Sequence, residues 1–323
     1  MLAAYAARLS SDDPLSALEV GDIDPPPAPE GWVTVNVKAA ALNHHDLWSL
    51  RGVGLGEDKL PMILGCDAAG TTSDGRDVVV HAVIGDPAKG YGDETLDPKR
   101  SLLSEVYPGT LAEQVAVPAG NVVAKPAELS WAEAGSVSTA WLTAYRMLFT
   151  KAAVQPGQTV LVQGASGGVA TAAIALAHAA GARVWATSRT DDKRAKAVEL
   201  GADEAFESGA RLPERVDAVI ESVGEATFGH SLKSVRPGGR VVVCGATSGG
   251  VAQIELARVY FLQVDVLGST MGTKTELESL LTFLVDHDLR PVIDSTFPLA
   301  DAGDAFAKLA DGNAFGKLVL TTT

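Results

Sequence analysis

The sequence predicts an α/β protein made of a β-rich domain and a doubly wound parallel-sheet domain. Three observations carry that prediction. The chain has 323 residues, more than one hydrophobic core usually serves. Its first third consists of short, alternating apolar runs between glycine and proline punctuation. From residue 158 onward, short apolar strands alternate with helix-length segments, the order that builds a parallel sheet covered on both faces.

Each element follows from its local pattern. The opening "MLAAYAARLSSDD" lacks a basic leader, and Arg8 breaks its apolar run, so it reads as a strand and not as a signal peptide. "GWVTVNVKAAALN" (31–43) alternates through Val33, Val35 and Val37, the period of a half-buried strand. "RDVVVHAVIG" (76–85) and "GTLAEQVAVPAGNVVAKP" (109–126) supply further strands, and 86–108 is a polar loop. "LSWAEAGSVSTAWLTAYRMLF" (129–149) is a helix opened by the capping box Ser130-x-x-Glu133. The strands "QTVLVQG", "ARVWATS", "VDAVIES", "GRVVVCGA" and "VDVLGS" follow, with helices between the earlier ones. The tail holds the helix "TELESLLTFLVDH", the strand "PVIDSTFPL", a further helix and "GKLVLTT".

Composition narrows the function. Apolar content of 46% with 20% charged residues describes a chain that buries a large core. The 40 acidic residues outnumber the 26 basic ones, for a formal charge of −14, and no basic cluster offsets it. Such a surface repels phosphate backbones and argues against nucleic acid. The longest apolar stretch, 169–182, is too short to span a bilayer and carries His178. Cys66 and Cys244 are the only cysteines, so there is no disulfide framework, which fits a cytoplasmic protein.

"VLVQGASGGVATAAIALA" (160–177) carries the most chemistry. A strand ends at Gly164, a tight turn runs through Ala165 and Ser166, and a helix opens near Gly167, Gly168 and Val169. Glycines let backbone N–H groups approach a pyrophosphate, and the positive end of the helix stabilises it. NAD-preferring sites place Asp or Glu about 20 residues beyond this turn. Here "TSRTDDK" puts Ser188 and Arg189 at that place, with Lys193 one turn later. A hydroxyl, a guanidinium and an ammonium suit a 2′-phosphate, so the expected cofactor is NADPH. The competing reading pairs Arg189 and Lys193 with Asp191 and Asp192 on the surface.

With these motifs in order, the sequence resembles the medium-chain dehydrogenase/reductase superfamily over essentially its whole length. The matching stretches are "AAALNHHDLWSLRG", "GCDAAG", "GTLAEQVAVP", "LTAYRML", the glycine turn, "ELGADEAF", "ESVG", "RPGGRVVVCGATSG" and the closing "RPVIDSTFPLADAGDAFAKLADGNAFGKLVL". The resemblance implies a GroES-like catalytic domain, 1–126 completed by 271–323, around a Rossmann NADP(H)-binding domain, 127–270. It also implies an active site in the cleft between them. Many members hold a catalytic zinc on three protein ligands, and the corresponding positions here are Asn43, Cys66 and Thr139. One potential ligand in three does not make that site, and no cysteine quartet for a structural zinc exists in 86–108. The expected metal is therefore none. His44 and His45, read as neighbours on a strand, would point to opposite faces and could not easily chelate one ion together, which leaves only an unorthodox metal with Cys66 as a further ligand.

Without zinc, the resemblance is to the quinone oxidoreductase-like branch, which passes hydride from NADPH to a quinone or another conjugated carbonyl. On that reading Asn43 and Thr139 lie near the nicotinamide or acceptor. His45 is either a general acid, its ordinary pKa lying near working pH, or a polar side chain bonded to backbone at a strand end. Asp46 matches an acidic position common in the family and is a candidate catalytic residue, which either touches substrate or orients the helix-opening loop or Arg51. The resemblance adds cofactor contacts at Val223, Gly224, Cys244, Gly245, Ala246, Phe315, Gly316 and Lys317. Ser208 stands where quinone reductases often carry a tyrosine beside the 2′-phosphate. It implies a homodimer paired through "QVDVLGST". The alternatives are an enoyl or enone reductase on the same scaffold, a zinc-type alcohol dehydrogenase with altered ligands, and a non-catalytic NADPH-binding protein. No Tyr-x-x-x-Lys pair occurs, which sets aside a short-chain dehydrogenase.

Overall fold

The computed structural model describes residues 1–322. The chain forms two compact units, Met1–Leu142 with Met271–Thr323, and Thr143–Thr270. The boundary thus falls later than Pro126, because the helical turn Trp131–Ala134 packs on the strand Trp32–Ala41 of the first unit. Gly135 permits that approach: a Cβ there would stand 2.5 Å from the Ala39 carbonyl oxygen.

The first unit is built on a seven-stranded sheet centred on Trp32–Ala41. Its alternation is visible in burial, with Val35 and Val37 inside and Asn36 exposed. The C-terminal strand Lys317–Thr321 lies antiparallel beside it, Val319 opposite Ala41, and this return brings Lys317 to the end of the strand. A second sheet of three strands includes Leu2–Ala6, as the opening segment suggested. Leu50, Leu64, Cys66, Leu111, Phe306 and Leu320 belong to the core of this unit.

The strand stops at Ala41, and His44–Leu50 is a helix with Asn43 as its N-cap. The strand reading of His44 and His45 is therefore corrected. Asn43 is a favoured cap, and the backbone N–H of Asn43 donates to Asp46 Oδ2 at 2.8 Å. The two histidines still diverge, because successive helical residues lie about 100° apart, and His44 is exposed while Asp46 is buried.

The second unit is a six-stranded, fully parallel sheet. In spatial order its strands are Glu204–Glu207, Arg183–Ser188, Thr159–Val162, Val216–Glu221, Val235–Val243 and Asp265–Gly268. Numbered along the unit, this is the order 3-2-1-4-5-6 of a Rossmann fold, with the switch point between Thr159–Val162 and Val216–Glu221. The helix Gly168–Ala179 buries Ala170, Ala173 and Ala177, whose small side chains let it sit close on the sheet.

Candidate active site

Two constellations of functional residues form, one within each unit. In the first unit, the end of the strand at Ala41, the cap at Asn43 and the returning strand at Lys317 converge on a buried ammonium. Lys317 is 3% exposed, and its Nζ donates to Asn43 Oδ1 at 2.6 Å, Leu42 O at 2.8 Å and Asp67 Oδ2 at 3.0 Å. Asn43 completes the ring by donating through Nδ2 to Asp67 Oδ2 at 3.1 Å. A buried charge is tolerated when it is paired and hydrogen-bonded, and all three ammonium protons here find acceptors. Asp46 lies near this ammonium, yet its Oδ1 has no hydrogen-bond partner among the described residues, nor has Asp67 Oδ1. Burial pushes the Asp46 carboxyl up to about 6, against the opposing pull of His45, the Asn43 N–H and Lys317.

Beside this ring lies a thiol, an imidazole and a carboxylate. His45 Nε2 is 3.1 Å from Glu105 Oε1, and its Nδ1 is 3.5 Å from Cys66 Sγ. The thiol donates to Leu103 O at 3.2 Å. Burial alone disfavours a charged His45, but contacts with Cys66 and Glu105 hold the ring well above the ordinary imidazole value. Burial also pushes the Cys66 thiol up. The neighbouring His45 pulls the thiol back down, and Glu105 gives the ring a second acceptor. The set is self-consistent: imidazolium N–H groups donate to carboxylate and sulfur, and the thiol donates onward to a carbonyl.

These donors do not fit zinc. The oxygen of Asn43 faces an ammonium and the third position is the neutral hydroxyl of Thr139, which has no partner among the described residues, so Cys66 is the one ligand of three. Zinc requires several N, S or anionic O ligands in tetrahedral array, and the described residues contain no metal-binding group of three or more His, Cys, Asp or Glu. A lysine supplies the cation at the first ligand position instead.

In the second unit the residues assigned to a dinucleotide gather at the C-terminal edge of the sheet. Gly164 has φ +76 and closes the turn after Val162, while Gly167 has open space where a side chain would stand. Ala165 is buried, and Ser166, Gly168 and Val169 are partly accessible at the start of the helix. Ser188 ends the neighbouring strand, and the Ser208 N–H donates to its carbonyl at 3.2 Å. The surface-pairing alternative for Arg189 does not form. Asp191 pairs with Arg194, Asp192 pairs with Lys196 at 2.9 Å, and the exposed Arg189 has no ion pair or hydrogen bond among the described residues. Lys193 lies in the first turn of the helix Asp191–Glu199, its N–H capped by Thr190. These residues fit an anionic 2′ substituent.

Val223 and Gly224 follow the fourth strand of this unit, and Cys244, Gly245 and Ala246 follow the fifth. The two turns interlock, since a Cβ on Gly224 would stand 2.8 Å from Ala246 Cα. Burial and the nearby Glu221 charge push the Cys244 thiol up to about 12, so it is no nucleophile. Phe315 and Gly316 lie in the first unit just before Lys317, the Phe315 N–H donating to Asp294 Oδ2 at 2.8 Å. Lys317 itself has its ammonium fully committed within that unit.

Sequence reasoning did not single out Asp67, Glu105 or Glu221. Asp67 was visible beside Cys66 in "GCDAAG", but Glu105 sits in a loop that offers no periodic signal.

Comparison with known proteins agrees with this architecture. The family model of the alcohol dehydrogenase GroES-like domain matches residues 29–127, and that of the zinc-binding dehydrogenase matches residues 168–286. An acryloyl-coenzyme A reductase of Metallosphaera sedula is 31% identical, with 94% of this chain and 96% of the relative covered. A zinc-type alcohol dehydrogenase-like protein, YogA, of Leptosphaeria maculans is 30% identical over 92% of each chain. The solved structure of an NAD-dependent alcohol dehydrogenase is 33% identical, with a TM-score of 0.92 and 100% of both chains covered. On fold, motifs and full-length likeness together, the chain belongs to the medium-chain dehydrogenase/reductase superfamily.

Proposed function

We propose that this protein is an NADPH-dependent reductase of conjugated carbonyls, with enones and enoyl thioesters ahead of quinones. The observation that carries the reading is the Lys317 ammonium held by Asn43, Leu42 and Asp67, where zinc relatives begin their ligand set. A conjugated acceptor suits such a site, because its own π-system spreads the charge that develops on reduction, so positioning and a proton source suffice. The acryloyl-coenzyme A reductase likeness supports an enoyl acceptor over a quinone. The solved relative is named for NAD; Ser188 and the unpaired Arg189 support NADPH here.

When bound, NADPH supplies the hydride. The glycine turn 164–168 presents backbone N–H groups to the pyrophosphate, and Ser188, Arg189 and Lys193 receive the 2′-phosphate. Reduction of an enone also consumes one proton. His45 holds one at Nε2 against Glu105 Oε1, with 16% of its side chain exposed. Asn43, fixed on both sides of its amide, orients and is not itself a proton carrier. The protein acts as a homodimer: the edge strand Asp265–Gly268 is open, and Leu256, Tyr260 and Phe261 of the preceding helix Leu256–Leu262 are exposed. No helix among the described residues is long and apolar enough to cross a membrane, and the two free cysteines suit the cytoplasm.

NADPH oxidation against enones, enoyl thioesters, quinones and saturated aldehydes tests this. Turnover should be confined to the conjugated acceptors and survive a metal chelator. Activity on saturated aldehydes alone, tracking zinc content, overturns the reading. Silence across the panel with NADPH still bound favours a binding protein.

A further inference from the structure

Beneath the edge of the parallel sheet runs a buried polar chain whose donors and acceptors allow one direction only. The Gly164 N–H donates to Thr187 Oγ1 at 3.3 Å, and that hydroxyl donates to Gln163 Oε1 at 2.7 Å. Gln163 Nε2 donates to Ser231 Oγ at 3.0 Å, and Ser231 donates to Glu221 Oε2 at 2.6 Å. The other Gln163 proton goes to His230 Nδ1 at 2.8 Å, while His230 Nε2 donates to Ala210 O at 2.8 Å, which sets the tautomer. Gln163, Thr187, Glu221 and Ser231 are all fully buried.

The chain ends on an anion with no cation. Glu221 has no ion pair among the described residues and is held instead by the N–H groups of Val223 at 2.8 Å and Gly224 at 3.0 Å, and by the hydroxyls of Thr227 and Ser231. A buried carboxylate is costly unless it is saturated with donors, and a stable core needs no charge at this place. The charge fixes the Val223–Gly224 turn, and the residue's backbone also meets the turn after the fifth strand. Its side chain holds Val223 and Gly224, and its carbonyl accepts the Cys244 N–H at 3.0 Å. Through Ser231, Gln163 and Thr187 it reaches the first amide of the glycine turn and the residue before Ser188 and Arg189.

We infer that Thr187, Gln163, Ser231 and Glu221 are positioning residues for the dinucleotide. They preset the glycine turn, the 2′-phosphate corner and the Val223–Gly224 turn as one hydrogen-bonded platform, without touching the cofactor. This rests on the NADPH reading given above. Each link polarises the next, so damage at one end reaches the other.

The test uses the full chain and isothermal titration with NADPH, beside amide hydrogen exchange of the ligand-free protein. Thr187→Val removes the hydroxyl at constant shape, and Ser231→Ala cuts the chain two links away. Each should weaken NADPH binding about tenfold, the effect of one lost or misdirected hydrogen bond. The double variant should be little worse than either single, because both break the same chain. Thr187→Ser should restore affinity. In the ligand-free protein, Thr187→Val should speed exchange at Val223 and Gly224, in the turn after a different strand from the substitution. If Thr187→Val does not fold, Ser231→Ala must still speed exchange at Gly164 and weaken NADPH. Unchanged affinity in folded variants, or losses that multiply in the double variant, overturns the inference while the NADPH reading stands. A parent protein that binds no NADPH overturns both.

Discussion

Asp46→Asn removes one buried charge and keeps the shape, so its effect should depend on pH in a way that can be worked out in advance. Asp46 is fully buried, with Oδ2 on the Asn43 N–H and Oδ1 unpartnered. The charges around it are Lys317 and His45, which favour its ionised form, and Asp67, which opposes it. Burial wins and lifts the carboxyl from 3.8 to about 6. Between those values the folded protein keeps a proton that the unfolded chain has released. Stability therefore falls as pH rises through this window and is flat above it. At about 1.4 kcal/mol for each factor of ten in the protonation equilibrium, ionising Asp46 in the folded state costs about 3 kcal/mol. Between pH 5 and 8 the loss is between about 1 and 2 kcal/mol, since part of the window lies below pH 5. The substituted carboxamide has no such titration. It places an amide N–H₂ where the orphan oxygen stands, at a cost of about 1–3 kcal/mol that does not vary with pH. The variant's stability relative to the parent should thus improve by between about 1 and 2 kcal/mol from pH 5 to pH 8. Urea unfolding followed by tryptophan fluorescence measures this, because Trp32, Trp48, Trp131 and Trp141 all lie in the first unit. A difference that stays constant across this range would refute the buried, uncompensated charge.

Three further outcomes are expected. Lys317→Met leaves Asp67 as a buried anion without its cation and should destabilise the first unit by about 3–5 kcal/mol, so an unchanged urea midpoint contradicts the ammonium ring. Arg189→Ala should weaken NADPH binding about ten- to hundredfold while NADH binding changes little; equal losses for both, measured by calorimetry, would remove Arg189 from the 2′-phosphate. Glu105→Gln tests the pair with His45. The raised His45 contributes stability that is complete below the ordinary imidazole value of 6.5 and fades as pH climbs through its raised folded value. Glu105, held low mainly by His45 despite its burial, contributes above its ordinary 4.5 and loses this as pH falls through its depressed value. The destabilisation by Glu105→Gln should therefore be greatest between these limits and shrink at alkaline pH, and a pH-independent shift in melting temperature would count against the pair.

What could be read from the sequence and what could not differ by range. The strand around Val35 and Val37, the capping box at Ser130 and the glycine turn at 164–168 are set by neighbours a few residues apart, so periodicity and spacing reveal them. "LNHHDLW" misleads at the same range: its cap, Asn43, and its N3 acid, Asp46, mark a helix start, but the apolar run before it draws the strand reading onward. The remaining chemistry depends on contacts that no window contains. Lys317 meets Asp67 across 250 positions and Asn43 across 274, and His45 meets Glu105 across 60. The last stretch "GKLVL" therefore offers a lysine for a cofactor when read locally, and an internal cation when the sheet returns it to Ala41. That return also explains Asp46. Two carboxylates are buried at the end of this strand and one ammonium reaches them; Asp67 takes its hydrogen bond, and burial raises the Asp46 carboxyl to about 6. The raised carboxyl of Asp46 and the engaged amine of Lys317 both follow from burying two carboxylates beside one ammonium.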